Sequence, residues 1–334
     1  MRFKAIIHMI KIKRTSTVSF HYHKWADVSV IIPTLNAEET ILRAIHSVCM
    51  QTSKPREIII VDGGSTDRTL QLIEKERSVE GWNMPIQLIK LSNVSPGHAR
   101  NVAINKAESH YIAFLDADDE WHSKKMERSI EELKKHRCTL IAHDIIHHYP
   151  MGRKFYEECS KFYQPQPFSH FSLFLFDYIT TSTVVVERQA VIKAGGFEEH
   201  FNCDVGYELW LKILKNPENS CFVHKGALTT YYIQPKSLSS KFLDRLACHE
   251  AYIARHARTI TPLGIITAPL LALIRSLIIQ NKVWNRALKN KAYHRVVITA
   301  LRMPYACLKV MVLSLIPYDL LTALKKRTHP SSRG

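Results

Sequence analysis

Two carboxylates one residue apart, Asp116 and Asp118 in the run Phe114-Leu115-Asp116-Ala117-Asp118-Asp119, are the residues of this chain best placed to do chemistry. They follow the apolar, β-rich stretch 111–115, and alternate residues at a strand end project to the same side. Two carboxylates so placed can approach one hard cation while leaving several of its octahedral positions for water and phosphate oxygens. Mg²⁺ or Mn²⁺ held in this way suits a nucleotide diphosphate, because the metal acts as a Lewis acid on the charge that builds on a leaving diphosphate. The same letters also spell an Asp-rich turn or helix cap, so the surrounding pattern has to decide.

The elements that must position this pair repeat along the chain. From Val28 onward, short apolar runs alternate with longer amphipathic stretches, the pattern of βαβ units on a parallel sheet. Strands are predicted at 28–33, 57–61, 86–91 and 111–115, and helices at 38–50, 66–77 and 96–107. In the first helix Ile41, Leu42, Ile45 and Val48 recur at helical spacing. A helix at 123–135 and a strand at 139–146 follow, and the aromatic-rich stretch 155–178 has no period. A strand at 183–186, a short helix at 188–194 closed by Gly195 and Gly196, and a helix at 207–214 complete the pattern. Nearly continuous apolar strands need cover on both sheet faces, so the predicted class is α/β with a doubly wound, mostly parallel sheet.

Ligands of such a sheet bind at the carboxyl ends of its strands. The first strand ends in Pro33, Thr34, Leu35 and Asn36, with Glu38 just beyond, and the second ends in Asp62-Gly63-Gly64-Ser65. The first turn lacks G-x-G-x-x-G, which counts against a dinucleotide-dependent dehydrogenase. Asp62 can accept hydrogen bonds from a ribose or a base, or simply build its own turn. In Ser95-Pro96-Gly97-His98-Ala99-Arg100-Asn101, Ser95 reads as a helix cap with Pro96 in the first turn. Free N–H groups there, with His98 and Arg100, form a candidate diphosphate cradle; a capped helix with an exposed Arg is the other reading.

Taken in order, these pieces resemble glycosyltransferase family 2 enzymes of GT-A fold. The resemblance is carried by residues 28–36, by Ile60-Val61-Asp62-Gly63-Gly64-Ser65-Thr66-Asp67, by Ala99-Arg100-Asn101 and by the D-x-D run 114–119, and it extends more weakly over 180–215. It implies a nucleotide-sugar site with Pro33, Thr34, Asn36, Glu38 and Asp62 near base and ribose. His98 and Arg100 then lie at the phosphates, Asp116 at the ribose, phosphate and metal, and Asp118 on the metal, with Mn²⁺ or Mg²⁺ as cofactor. A UDP-sugar is the favoured donor, a glycan or lipid-linked glycan the acceptor, and inversion at the anomeric carbon the outcome.

Sugar transfer to a hydroxyl needs a carboxylate to take the acceptor's proton. Family 2 enzymes generally supply it from a Glu-Asp pair before an aromatic-x-Leu-Trp element. Here Tyr207-Glu208-Leu209-Trp210 matches that element, but Val205 and Gly206 stand at the pair. Asp204, two residues before Gly206, is the preferred substitute, and Glu208, two residues after, is the fallback. A two-residue helical step turns a side chain by about 200°, so the two are not equivalent. Val205 and Gly206 also motivate a second reading, a catalytically silent module that binds a nucleotide sugar at the membrane.

Composition sets the remaining bounds. The 334 residues are 46% apolar and 23% charged with 11 Gly, which excludes fibrous and disordered classes. Seven cysteines without a C-x-x-C pair argue against a disulfide framework or a zinc site, and the scattered histidines 143, 147 and 148 do not restore one. The net charge of +16 sits at the ends: residues 1–24 hold six Lys/Arg and no acid, and residues 241–334 hold 16 against three acids. The chain is thus divided into a basic arm (1–24), a GT-A domain (25–240) and a basic helical region (241–334). No secretory signal is read at the start, so the expected location is cytoplasmic, peripheral on the inner face of the cell membrane. In the last region, apolar pieces interrupted by Pro262 and Pro269 are too short to span a bilayer. Interleaved with Arg275, Lys282, Arg286 and others, they fit helices on an anionic membrane surface, whether lying on it or partly inserted over 259–324. An all-soluble helical subdomain and a re-entrant hairpin are the competing readings. Nucleic acid is not expected, because no recognition motif accompanies the charge.

Overall fold

The computed structural model describes residues 24–78, 84–166, 168–199, 205–233, 250–253, 255–257, 260, 268–278 and 308. Strands β1 (Lys24–Thr34), β2 (Ser53–Asp62), β3 (Ile86–Lys90) and β4 (Tyr111–Phe114) alternate with helices α1 (Ile41–Cys49), α2 (Thr69–Arg77) and α3 (Pro96–Lys106). Beyond them come β5 (Glu120–Trp121), α4 (Lys125–His136), β6 (Leu140–His143), β7 (Ile145–His148), β8 (Lys154–Glu157) and α5 (Ser169–Phe176). The last named elements are β9 (Val185–Glu187), α6 (Arg188–Lys193), α7 (Val205–Leu214), β10 (Cys221–His224) and β11 (Thr229–Tyr232).

The main sheet has seven strands in the order β10-β6-β9-β4-β1-β2-β3, all neighbours parallel except β9, which runs antiparallel to both β4 and β6. The expected mostly parallel α/β sheet is therefore present. Its central strands are apolar on both faces because both are covered. Ile31, Ile59 and Val61 pack with Ala99 and Ala103 of α3 on one side, while Val30, Ile32, Ile58 and Ile60 pack with Ile41, Ile45 and Val48 of α1 on the other. A second sheet of four strands, β5-β11-β7-β8, continues from the β4 end.

Two sequence expectations change. The single strand predicted over 139–146 is two strands in different sheets, divided at Asp144. Its carboxylate accepts hydrogen bonds from Tyr156 Oη, Ser160 N and Gly226 N, and these long-range partners turn the chain from one sheet to the other. In the region divided off beyond 240, residues 250–253 and 268–278 are helical, but Tyr252, Ile253, Ala257, Ala268, Leu271 and Ala272 are buried in the same apolar cluster as α5 and α7. Arg275, expected at a membrane surface, is 1% exposed; its Nη1 donates to the Leu175 carbonyl at 2.5 Å and its guanidinium lies 5.3 Å from the Tyr207 ring. Among the described residues no helix is long and apolar enough to cross a membrane. Residues 1–23 of the basic arm 1–24 and most of 279–334 lie outside the described residues.

Candidate active site

Because β4, β1 and β2 are adjacent and parallel, their carboxyl ends share one sheet edge, and Thr34 stands directly opposite Asp62. Gly63 N donates to Thr34 O at 2.8 Å and Leu115 N to Ile31 O at 3.0 Å, fixing the level of the three turns. The first two turns are stitched to each other. Asn36 adopts φ +48°; its N–H donates to Ser65 Oγ at 2.8 Å and its Oδ1 accepts from Thr66 N at 2.9 Å. Glu38 Oε2 accepts from the backbone N and the Nε of Arg68, contacts that hold its carboxyl below the ordinary range. Asp62 is buried; its Oδ1 accepts from Gly64 N and Ser65 N and its Oδ2 from Ser65 Oγ. Asn36, Glu38 and Asp62 thus shape the loops in this state. Pro33 stands opposite Val61 one residue before the strand end, and Thr34, which ends the strand and is buried, keeps a hydroxyl with no hydrogen-bond partner among the described residues.

The third turn, after β4, is built from distant parts. Asp116 takes an ion pair from Arg100 Nη2, and its backbone N donates to Ser182 Oγ at 3.1 Å. The same Ser182 hydroxyl donates to Asp119 Oδ2 at 2.5 Å, and Tyr232 N reaches Asp119 Oδ1 at 3.3 Å. Arg43 Nη2 donates to the Asp118 carbonyl at 2.6 Å while its guanidinium stacks 3.8 Å from the Tyr232 ring centroid. The charge balance here is poor. Burial first, then the neighbouring Asp116, pushes the Asp118 carboxyl up to about 6. The same causes, burial and then the Asp118 and Asp116 charges, raise fully buried Asp119 well above the carboxylate range.

Among the described residues no set of three or more His, Cys, Asp or Glu side chains could hold a metal by itself. The Asp116 and Asp118 carboxylates nevertheless fit a cation that brings phosphate oxygens of its own, since such an ion needs only one or two protein carboxylates and relieves their mutual repulsion. Arg43 Nε and Arg100 Nε, both buried beside these aspartates, have no hydrogen-bond partner among the described residues, as with Thr34 Oγ1.

The start of α3 differs from the expectation. Ser95 caps it, accepting from His98 N at 3.1 Å, with Pro96 in the first turn as predicted. The two cations proposed for a diphosphate face protein carboxylates instead: His98 Nδ1 lies 2.8 Å from Glu199 Oε2, and buried Arg100 pairs with Asp116. The helix start is covered by residues 197–199, so closely that a Cβ on Gly97 would collide with the Glu198 carbonyl. Asn101 holds that cover in place, exchanging hydrogen bonds with both the N–H and the carbonyl of Phe197. The Ala99-Arg100-Asn101 element therefore sets Asp116 with one residue and clasps a neighbouring loop with the next.

Of the two candidate bases, Asp204 lies outside the described residues. Glu208 is fully buried on α7 and is paired with Arg255, with Lys212 Nζ at 3.2 Å and with His256 Nε2 at 3.7 Å. Burial alone would raise its carboxyl, but hydrogen bonding to His256 and the charges of Lys212 and Arg255 outweigh that and hold it at about 2. A carboxylate this acidic and this enclosed is a poor proton acceptor, so the fallback reading of Glu208 as base gives way to a structural one. Val205 and Gly206 are buried too, and a Cβ on Gly206 would collide with Thr181 Oγ1.

Sequence reasoning missed Arg43, Asp119, Ser182 and Tyr232. Only Asp119 carried a local signal, as the third acid of the D-x-D run; the other three reach this turn from 75, 63 and 113 residues away.

The chain is similar to known proteins in sequence and in fold. Residues 29–195 match the family described as Glycosyl transferase family 2. A UDP-Glc:α-D-GlcNAc-diphosphoundecaprenol β-1,3-glucosyltransferase of Escherichia coli, WfgD, is 30% identical over 66% of this chain and 82% of its own. A teichuronic acid biosynthesis glycosyltransferase of Bacillus subtilis, TuaG, is 37% identical over 34% of this chain, and the match spans 44% of that relative's length. The structure of Staphylococcus aureus TarS 1–349 with UDP-GlcNAc superposes with a TM-score of 0.60 at 19% identity, covering 86% of this chain and 89% of TarS. A Pyrobaculum calidifontis mannosyltransferase solved with GDP-Man and Mn²⁺ gives 0.56 at 15% identity, covering 99% of this chain and 95% of that one.

Proposed function

Because the chain belongs to glycosyl transferase family 2, we propose that it transfers a sugar, with inversion, from a nucleotide-diphosphate sugar to a glycan or lipid-linked glycan. A UDP-sugar is the preferred donor, as in the TarS complex, and WfgD supplies the analogy for a diphospholipid-linked acceptor. The observation that carries this reading is the β4 turn, where Asp116 and Asp118 crowd at the carboxyl edge beside buried polar atoms with no partner among the described residues. Asp118 and Asp116 would hold Mn²⁺ or Mg²⁺, and the bound ion would supply Lewis-acid stabilisation of the departing diphosphate. Thr34 and the β1 and β2 turns form the nucleoside side of the site, and Ser182 and Arg100 keep the Asp116 backbone and carboxylate aimed. Asp204 remains the candidate for accepting the acceptor's proton. A thermal-shift series over UDP-, GDP- and dTDP-sugars with and without Mn²⁺ tests the proposal: one donor class should stabilise the protein in a metal-dependent way. Stabilisation by none of them contradicts it.

A second reading has its own observation. Val205 and Gly206 are packed into the interior and Glu208 is fixed in an ion-pair network, which favours a module that binds the donor without turnover. Transfer or slow donor hydrolysis that disappears in Asp204→Asn would exclude it. The charge of 241–334 and the exposed Leu270, Ile274 and Leu277 support attachment to an anionic bilayer. Salt-sensitive co-sedimentation of the full chain with phosphatidylglycerol vesicles would bear this out, and equal recovery with neutral vesicles would not.

A further inference from the structure

The D-x-D turn is also the junction between the two sheets, since β5 begins directly after Asp119. On one side of it lie the β1 and β2 turns. On the other lies the four-stranded sheet, whose two faces differ. Trp121, Thr229, Ile145 and His147 are buried against the core, with only Phe155 at the β8 edge exposed on that side, while the alternate residues Glu120, Tyr232, Ile146, His148, Lys154 and Tyr156 are exposed or half-buried around a buried Thr230.

Strand register gathers the aromatic members of this outer face into a row. Tyr232 stands opposite His148, which stands opposite Lys154, and Tyr156 stands opposite Ile146. The Tyr232 and His148 ring centroids are 4.9 Å apart. The row is fixed at both ends. Tyr232 donates its hydroxyl to Glu120 Oε2 at 2.7 Å, bears Arg43 on its ring and donates its N–H to Asp119. Tyr156, 45% exposed, donates its hydroxyl to Asp144 Oδ2 at 2.6 Å. Tyrosine rings held by their polar ends need no ordering when a ligand arrives; Tyr232 has Arg43 against one ring face, and Tyr156 presents an exposed apolar ring.

The geometry points to this outer face as the acceptor subsite, holding a saccharide with its C–H face on the His148 and Tyr156 rings, which lie diagonally across β7 and β8, and its hydroxyls toward Lys154, Glu120 and the edge of the Tyr232 ring. An apolar surface with a few fixed polar groups suits a pyranose, which has one apolar face and a polar rim. The row starts at Asp119, so a sugar seated on it borders the cation turn from the side opposite the nucleoside. The inference rests on the nucleotide-sugar reading above and adds the class and the place of the second substrate.

The test uses the full chain with UDP and Mn²⁺ and saturation-transfer NMR on named probes: N-acetylglucosamine, chitobiose, cellobiose, mannobiose and a short-chain GlcNAc-diphospholipid. At least one probe should receive saturation from the wild type, and His148→Ala and Tyr156→Ala should each weaken that signal by about tenfold. The thermal shift caused by UDP should remain in both variants, reporting that they fold and bind nucleotide. Undiminished signals in both variants, or no signal from any probe on a UDP-bound wild type, would overturn the subsite. Absence of any UDP-induced shift in the wild type would overturn the proposed function, and the subsite with it.

Discussion

Two buried acidic centres of this molecule are electrostatic opposites. At the β4 turn three aspartates share two arginines, and Asp118 is pushed up to about 6 by burial and by Asp116. On α7 a single carboxylate, Glu208, is surrounded by Arg255, Lys212 and His256 and held at about 2. The first centre gains from an added cation, and the second has no use for one. A buried acid is therefore not by itself a catalytic sign; what separates a ligand site from a structural tie is whether the chain already supplies the countercharge.

The contrast can be broken most sharply at the saturated centre. Glu208→Ala removes the carboxylate shared by Arg255, Lys212 and His256, leaving Arg255 its pair with Glu198, and should cost about 3–5 kcal/mol in urea denaturation, while nucleotide-sugar binding by the folded fraction persists. At the cation-poor centre the sign reverses: Asp118→Ala should reduce transfer by about 100- to 1000-fold with no loss of melting temperature. Assaying both variants for stability and for transfer would refute the contrast if each lost both properties equally. Ser182→Ala removes the hydroxyl that joins Asp116 N to Asp119 Oδ2 and should cost about 1–3 kcal/mol. It should also raise the Mn²⁺ concentration needed for half-maximal activity, which a purely structural hydroxyl would not change.

The smallest effect is in pH dependence. Glu208, lowered from 4.5 to about 2, stabilises the fold above pH 4.5 and loses that contribution as the pH falls toward 2. Asp118, raised from 3.8 to about 6, takes up a proton more readily when folded, so without divalent cation its contribution to stability declines as the pH rises from 3.8 through 6. Melting curves of Glu208→Gln and Asp118→Asn against wild type should each differ by about 2–4 °C, in these separate windows.

Much of this was legible in the sequence, and the remainder has a common cause. The alternation of Val28 to Leu115 gave β1 to β4 and α1 to α3 because each element buries a periodic face of its own. Ser95 as cap and the Gly195-Gly196 stop at φ +82° and +69° are equally local. The D-x-D run showed where charge collects, but not that Arg100 holds Asp116 or that Ser182 ties it to Asp119. The division at Asp144 depends on Tyr156, Ser160 and Gly226, and the burial of Arg275 on Leu175 and Tyr207, contacts that no period encodes. The stretch 155–178 had no readable pattern because α5 packs apolar residues from around its circumference, with Leu173 and Phe174 buried and Phe171, Leu175 and Phe176 partly buried in one cluster.

The central claim is that the crowded aspartates of the β4 turn bind a divalent cation together with a nucleotide diphosphate. Electron paramagnetic resonance of Mn²⁺ titrated into the full chain with and without UDP measures this directly. The account predicts tight Mn²⁺ binding that requires UDP in wild type and is lost in Asp118→Asn. Equal Mn²⁺ binding by the two proteins, or binding indifferent to UDP, would contradict it.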